Sequence, residues 1–123
     1  MKRVLVIEDQ KPVRDAVGDL LGTLGLEPKL IGDGAKALEE LQRVTYDMIT
    51  LDLNMPSLDG VSIVESLSST DGPNARTPII VVSAYLSEEI EASLKQLGVR
   101  FFLGKPFDAS DLVAAVNSLK QDG

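Results

Sequence analysis

The chain has 123 residues, of which 44% are hydrophobic and 25% are charged, as expected for one globular domain with a substantial core. It contains no cysteine and no histidine, which excludes disulfides, thiolate and histidine metal sites, histidine-based triads and a phosphohistidine on this chain. Its 19 acidic and 12 basic side chains give a net charge of −7. No apolar run approaches the ~20 residues that span a bilayer. We therefore expect neither direct nucleic-acid binding nor membrane insertion.

The segment MKRVLVIEDQ at the start of the chain combines two basic residues with a short apolar run. It lacks the longer apolar stretch and the cleavage site of a signal peptide, so we expect a first strand and a cytoplasmic protein. The predicted strands are Val4–Ile7, Lys29–Ile31, Met48–Leu51, Ile79–Val82 and Val99–Leu103. Most are nearly continuous apolar runs, as in a parallel sheet that is covered on both faces. The second strand is short and follows Pro28, which indicates a sheet edge.

Apolar residues with helical spacing occupy the segments between the predicted strands. These amphipathic stripes lie within residues 13–24, 35–41, 60–67, 90–97 and 112–119. Pro12 suits a first helical turn, and Gly25 and Gly98 suit helix ends. Residues 68–77, SSTDGPNART, are predicted to form a mobile loop before the fourth strand. The alternation predicts one α/β domain over residues 1–123, a doubly wound five-stranded parallel sheet with helices on both faces.

Polar residues follow four of the five predicted strands. They are Glu8 and Asp9, Asp52 and Asn54, Ser83 and Ala84, and Lys105 and Pro106. The carboxyl ends of parallel strands meet at one edge of the sheet, where such folds bind ligands. Two carboxylates about 4 Å apart repel by roughly 4 kcal/mol at an effective dielectric of about 20, so three acids need more positive charge than Lys105 supplies. A hard divalent cation such as Mg²⁺, which prefers oxygen ligands, would supply that charge.

Asp52 is the candidate reactive group at this edge. An Asp often starts a turn by bonding the backbone two residues on, and Glu8 and Asp9 also suit a simple helix start. A carboxylate can instead form an aspartyl phosphate, with Lys105 pairing with a phosphoryl oxygen and Ser83 donating to one. The convergence of polar groups from four strand ends favours this second interpretation.

The motifs VLVIED, LDLNMPSLDG, VVSA and GKPF occur in this order at the predicted strand ends. Together they make the whole chain resemble a response-regulator receiver domain of two-component signalling. The resemblance implies a flavodoxin-like (βα)5 fold with strand order 2-1-3-4-5. It also implies that Asp52 is the phosphoacceptor and a member of the metal site, and that Asp9 ligates Mg²⁺ directly. Glu8 would act through water, the backbone carbonyl of Asn54 would be a further ligand, and Mn²⁺ would be a substitute.

The same resemblance implies roles for the remaining residues of this edge. Ser83 would be the switch hydroxyl, Ala84 would offer its backbone N–H to the phosphoryl group, and Lys105 would bind phosphate before a cis Pro106. Phe102 matches an aromatic residue that changes rotamer on activation, although ordinary core filling explains it as well. A histidine kinase or histidine phosphotransfer protein would donate the phosphoryl group. An unknown output domain or protein would bind the surface of the fourth helix, fifth strand and fifth helix.

Departures from the family pattern concern the acidic pair and the fifth strand. The pair is Glu-Asp in place of Asp-Asp, and Phe101 stands where many relatives carry Asp, which argues against a salt-bridged dimer face. An apolar partner face or a dimer is a separate hypothesis, based on Phe101 and Phe102 together with Leu86, Ile90 and Leu94. Tyr85, two residues after Ser83, is either loop surface or a residue that tunes dephosphorylation.

Two other functions stay open. A haloacid-dehalogenase-type phosphohydrolase also uses Asp and Mg²⁺, but its Asp-x-Asp motif follows the first strand, whereas Asp52-Leu53-Asn54 follows the third. A pseudo-receiver would keep the fold as a binding scaffold without ever being phosphorylated. The leading interpretation is a phosphoacceptor that assists only its own phosphorylation and dephosphorylation and is not an enzyme in the ordinary sense.

Overall fold

A five-stranded, fully parallel sheet in the order β2-β1-β3-β4-β5 forms the centre of the molecule. The computed structural model describes residues 3–56 and 58–122, so positions 1, 2, 57 and 123 of the predicted domain lie outside the described residues. The strands are β1 (Arg3–Ile7), β2 (Glu27–Ile31), β3 (Met48–Asp52), β4 (Ile79–Ser83) and β5 (Phe101–Gly104). This topology confirms the doubly wound α/β fold and the strand order predicted above.

One helix follows each strand. The helices are α1 (Lys11–Thr23), α2 (Gly34–Leu41), α3 (Gly60–Ser68), α4 (Glu88–Gln96) and α5 (Ala109–Asp122). Pro12 lies in the first turn of α1, while Gly25 and Gly98 follow α1 and α4 with φ of 81° and 100°. Only glycine adopts this left-handed conformation at low cost, which explains why the helices end there. In the described part of the chain, no helix is long and apolar enough to cross a membrane.

Two hydrophobic clusters cover the two faces of the sheet. Val4 and Val6 pack with α1 and α5, whereas Leu5 and Ile7 pack with α2, α3 and α4. Successive side chains of a strand point to opposite faces, so a continuous apolar strand feeds both clusters. Every residue of β3 and β4 is buried, which places the ends of these two strands on rigid supports.

The starts of β2 and β5 differ by two residues from the prediction, and the other strand boundaries differ by at most one. β2 begins at Glu27 and includes Pro28, which the edge position permits because one side of β2 has no partner strand. β5 begins at Phe101, two residues later than predicted. The N–H of Val99 donates to the carbonyl of Leu94 at 3.0 Å, so this residue ends α4 and does not join the sheet.

The segment predicted to be a mobile loop before β4 is anchored by Asn74. This side chain is 1% exposed, accepts a hydrogen bond from Tyr46 N at 2.8 Å, and donates to the carbonyls of Leu41 and Val44 at 2.6 and 2.7 Å. The loop is therefore joined to the end of α2 and to the entry of β3. The mobile loop was predicted from its content of Ser, Gly and Pro, and this composition does not indicate that the Asn74 side chain bonds three backbone groups.

Candidate functional site

Three acids meet at the carboxyl edge of the sheet. Glu8 follows β1 and Asp52 ends β3, and these strands are neighbours in which Ile7 pairs with Leu51. One carboxylate oxygen each from Glu8, Asp9 and Asp52 lies within 4.8 Å of the others. Glu8 and Asp52 are 3% and 4% exposed, and Asp9 is half-buried. The sheet thus brings together the acids that the sequence placed at two separate strand ends.

Lys105 provides positive charge at this cluster. Its Nζ lies 2.7 Å from Glu8 Oε1 and 3.5 Å from Asp52 Oδ2, and its side chain is 15% exposed. The residue reaches the acids from β5, because Lys105 N donates to the Ser83 carbonyl at 2.9 Å and continues the β4–β5 pairing. The Lys105–Pro106 peptide is cis. One lysine facing three carboxylates leaves an excess of negative charge.

This environment changes the acidity of Asp52. The pKa of Asp52 is raised from an ordinary 3.8 to about 6, chiefly by burial, with the Glu8 carboxylate and the hydrogen bond with Asp9 acting in the same direction. The Asn54 N–H and the Lys105 ammonium act in the opposite direction and favour the charged form. Asp52 is therefore largely a carboxylate at pH 7, but its charge is less favourable than that of an exposed acid.

The turn after β3 holds the Asp52 side chain in place. Asn54 N donates to Asp52 Oδ1 at 3.1 Å, the turn-forming bond that Asp commonly makes two residues on. Gly60 then begins α3 with the Asp59 side chain as its N-cap. A Cβ on Gly60 would lie 2.8 Å from the Asp52 carbonyl oxygen, so only glycine lets α3 approach this strand end so closely. Asp52 and Asn54 thus form the turn and also belong to the candidate site.

Ser83 lies behind the acids at the end of β4. Its side chain is fully buried, and its Oγ accepts hydrogen bonds from Asn54 Nδ2 at 3.0 Å and from Tyr85 N at 3.2 Å. The side chain of Asn54 was not assigned a role from the sequence, yet it joins the β3 and β4 ends. Ala84 is exposed, and the Tyr85 side chain is 72% exposed.

Phe101 and Phe102 do not share a face of the sheet. Phe102 packs with the α2–α4 cluster beside Leu86 and Ile90, whereas Phe101 packs with the α1–α5 cluster. Leu94 is fully buried. The five residues are therefore divided between the two faces of the sheet, because consecutive strand residues alternate between faces. The apolar partner face stays a prediction. Lys95 Nζ lies 5.9 Å from the centre of the Phe102 ring.

One residue near the acids escaped the sequence reasoning. Arg14, in the first turn of α1, donates through Nη1 to the backbone carbonyls of Glu8 and Asp9 at 2.9 and 3.3 Å. In the sequence, Arg14 looks like any other polar residue on the solvent-facing side of an amphipathic helix. Only the packing of α1 against the β1 end reveals the contact.

The donor set fits a divalent cation. It consists of carboxylates held close together, with oxygen as the sole ligand type and one lysine to offset their charge. Mg²⁺ prefers such oxygen ligands and is usually bound by one or two carboxylates plus water or phosphate. The arrangement accordingly defines a flavodoxin-like domain with an acidic, metal-compatible centre at its strand ends.

Comparison with known proteins identifies the class. The family model described as response regulator receiver domain matches residues 4–117, and the chain belongs to this family. Receiver domains are the phosphoacceptor modules of two-component response regulators. They act with histidine kinases and output domains. The transcriptional regulatory protein PrrA of Mycobacterium leprae is 38% identical over 117 residues, which are 95% of this chain and 49% of PrrA.

Solved structures give the same answer. The receiver domain of Francisella response regulator 1452 is 31% identical with a TM-score of 0.88, covering 99% of this chain and 98% of that one. The receiver domain of a sensor histidine kinase from Pseudomonas aeruginosa, solved with a magnesium ion coordinated in its active-site cleft, is 27% identical with a TM-score of 0.84. That comparison covers 96% of each chain. This chain spans about half the length of the curated relatives it matches.

Proposed function

We propose that residues 1–123 form one receiver domain that accepts a phosphoryl group on Asp52 from a histidine kinase or a histidine phosphotransfer protein. The observation that carries this proposal is the joint placement of three carboxylates and the Lys105 ammonium at one strand edge. Asp52 is the member of this group on the central strand β3, held by the Asn54 N–H and faced by Lys105. A carboxylate in this setting is a suitable nucleophile for phosphorus.

The proposed transfer is a direct displacement. A carboxylate oxygen of Asp52 forms a bond to phosphorus while the bond between phosphorus and the donor's imidazole nitrogen breaks. The electron pair stays on that nitrogen, and the ring, protonated at its other nitrogen, leaves as neutral histidine. Lys105 is placed to pair with a phosphoryl oxygen, since its Nζ lies 3.5 Å from Asp52 Oδ2. The product is an aspartyl phosphate.

In this proposal Asp9 and Asp52 would bind Mg²⁺ through their carboxylates, Glu8 would act through water, and the backbone carbonyl of Asn54 would be a further ligand. Mn²⁺, which accepts similar ligands, would substitute. The bound cation would neutralise charge on the phosphoryl oxygens and on the acids themselves. The excess of negative charge around Lys105 supports this assignment, because the protein alone does not balance it.

The proposed signal passes through Ser83. Its hydroxyl uses its oxygen to accept from Asn54 and Tyr85, so its proton remains available for a phosphoryl oxygen. Such a bond to a charged group contributes about 1.5 to 3 kcal/mol, whereas reversing a 1:99 equilibrium takes about 5.5 kcal/mol. Lys105 and the backbone N–H of Ala84 would therefore share the work with Ser83. Phe102 would then turn toward the space that Ser83 leaves.

The partners follow from this switch. The surface formed by α4, β5 and α5 would change shape and bind an output domain or protein. A net charge of −7 makes direct nucleic-acid binding by this domain unfavourable, and we propose a cytoplasmic location. The domain would assist its own phosphorylation and dephosphorylation without acting on other substrates. We also propose that the domain dimerises through this α4–β5–α5 surface. Analytical ultracentrifugation with and without a phosphoryl mimic tests this, and a monomer in both states would contradict it.

Intact mass after incubation with acetyl phosphate tests the acceptor. We expect the wild type to gain one phosphoryl mass, about 80 Da, only when Mg²⁺ is present, since acetate then leaves as Asp52 attacks phosphorus. Asp52→Asn should gain nothing. Asp59→Asn is the matched control: it replaces another acid of the same loop and keeps an N-cap residue for α3. Ser83→Ala should also gain the mass, because its hydroxyl is not needed for attack.

Each other outcome has a defined meaning. Mass gain in Asp52→Asn would place the acceptor elsewhere and contradict the proposal. No gain in any variant would favour a pseudo-receiver, whereas steady release of inorganic phosphate from phosphate esters would favour a phosphohydrolase.

A further inference from the structure

Arg14 connects α1 to the two residues that follow β1. Its Nη1 donates to the backbone carbonyl of Glu8 at 2.9 Å and to that of Asp9 at 3.3 Å, and the residue is half-buried. β1 ends at Ile7, so the carboxylates of Glu8 and Asp9 are carried by backbone that lies beyond the regular strand. A single guanidinium nitrogen thus spans the backbone of two members of the acidic cluster.

Gly32 provides the space that this guanidinium occupies. A Cβ built on Gly32 would lie 2.3 Å from Arg14 Nη1 and 3.1 Å from its Cζ, whereas its distance to the Glu8 carbonyl oxygen, 3.6 Å, would be ordinary contact. Gly32 is not one of the glycines with positive φ. The position therefore needs glycine for room and not for backbone conformation. Gly32 directly follows β2, whose Ile31 carbonyl accepts from Glu8 N at 3.1 Å.

We infer that Arg14, seated against Gly32, is a positioning residue for the metal site: it holds the backbone of Glu8 and Asp9 so that their carboxylates face Asp52. This inference rests on the proposed function. Arg14 does not contact the carboxylate oxygens in the contacts described above. Its positioning effect would reach the cation through the backbone that carries those carboxylates.

Charge and positioning make opposite predictions for Arg14. A guanidinium next to a cation site repels the cation, so loss of its charge alone would strengthen Mg²⁺ binding. Loss of positioning would weaken it, by about tenfold, the lower end of the range for outer-shell partners of metal ligands. The direction of the change in affinity therefore separates the two roles.

The experiment measures the Mg²⁺ dissociation constant by isothermal titration calorimetry in the wild type, Arg14→Ala, Gly32→Ala and the double variant. We expect about tenfold weaker binding in Arg14→Ala, with α1 intact because Ala favours helices. Gly32→Ala should weaken binding in the same direction while the arginine charge is retained. In the double variant, Gly32→Ala should add nothing, because the residue it displaces is already gone.

Gly22→Ala is the matched control, since a Cβ on that glycine of α1 meets nothing within 4 Å, and its affinity should equal that of the wild type. Thermal unfolding of every variant checks that the folded state is retained. Equal or tighter binding in Arg14→Ala would overturn the inference and leave the proposed function standing. If Gly32→Ala weakened binding further in the double variant, Gly32 would act independently of Arg14, and the part of the inference that concerns Gly32 would be wrong. Failure of the wild type to bind Mg²⁺ would overturn the proposed function and this inference with it.

Discussion

The ionised form of Asp52 is disfavoured by its surroundings, because the side chain is buried next to another acid. Asp52 is 4% exposed and lies beside Glu8, while the 3.5 Å contact with Lys105 and the Asn54 N–H favour its ionised form. The folded protein therefore binds a proton at Asp52 more tightly than the unfolded chain does. The stabilisation that results is fully present below pH 3.8 and is lost as the pH rises through about 6.

Asp52→Asn should therefore stabilise the fold at neutral pH. The rise in pKa from 3.8 to about 6 corresponds to about 3 kcal/mol, and we expect the variant to gain up to this amount of unfolding free energy at pH 8 without divalent cations. The gain should shrink as the pH falls below 6, because the wild-type carboxyl is then neutral as well. Urea unfolding of both proteins at pH 4.5 and pH 8, with EDTA, measures this. A variant less stable than the wild type at pH 8 would contradict it.

At the residue scale, the sequence was informative where chemistry depends on residue type and strand position. Glu8, Asp9, Asp52 and Lys105 were predicted to lie together, because parallel strands end at a common edge. Arg14 was not predicted, since its contacts depend on how α1 packs against the end of β1. The Asn54–Ser83 hydrogen bond escaped for the same reason: it joins side chains of two neighbouring strands at a distance that sequence spacing does not encode.

At the element scale, the connection between α3 and β4 depends on Asn74. Asn74→Ala would leave the N–H of Tyr46 and the carbonyls of Leu41 and Val44 without this partner in a buried region. We expect the unfolding free energy to fall by about 2 to 4 kcal/mol, because unsatisfied buried polar groups keep their desolvation cost. Urea unfolding measures the loss.

Asn117→Ala is the control for this prediction, since Asn117 is exposed on α5. Its effect should stay within about 0.5 kcal/mol. If both variants lost the same small amount, the anchoring of this loop would be attributable to its backbone alone. Sequence composition indicated a mobile segment here because Ser, Gly and Pro are typical of loops. Composition takes no account of the up to four hydrogen bonds that a single Asn side chain can make.

At the scale of the whole molecule, alternation of strand and helix signals was sufficient to predict the fold. Continuous apolar runs such as Ile79–Val82 required helices on both faces, and the two observed clusters meet that requirement. The boundaries of β2 and β5 were less accurate, because Pro28 is acceptable only on an edge and Val99 is used by the end of α4. The start of β2 depends on which strands lie beside it in the sheet, and the start of β5 depends on how the chain leaves α4.

The whole fold should also respond to Mg²⁺, because the acids that would bind it come from β1 and β3. A cation that binds the folded state and not the unfolded chain adds about 1.4 kcal/mol of stability for each tenfold rise in concentration above its dissociation constant. For a domain of this size, each kcal/mol raises Tm by about 4 °C. Thermal unfolding across a Mg²⁺ series, matched with NaCl at equal ionic strength, measures this. The NaCl series is required because salt also screens the repulsion that a net charge of −7 creates, whether or not a cation binds the site.

Mg²⁺ and Asp52→Asn relieve the same repulsion, so their effects should not add. With Mg²⁺ bound as proposed, the wild type would lose the disadvantage of its buried carboxylate, and the variant would lack one of the three carboxylates of the cluster. We therefore expect the stability advantage of Asp52→Asn to shrink or reverse at saturating Mg²⁺, while Asp59→Asn keeps the full wild-type response. Additive effects would mean that Mg²⁺ stabilises the protein away from Asp52. The repulsion among the three acids thus makes the cluster destabilising by itself, and the proposed cation would relieve it.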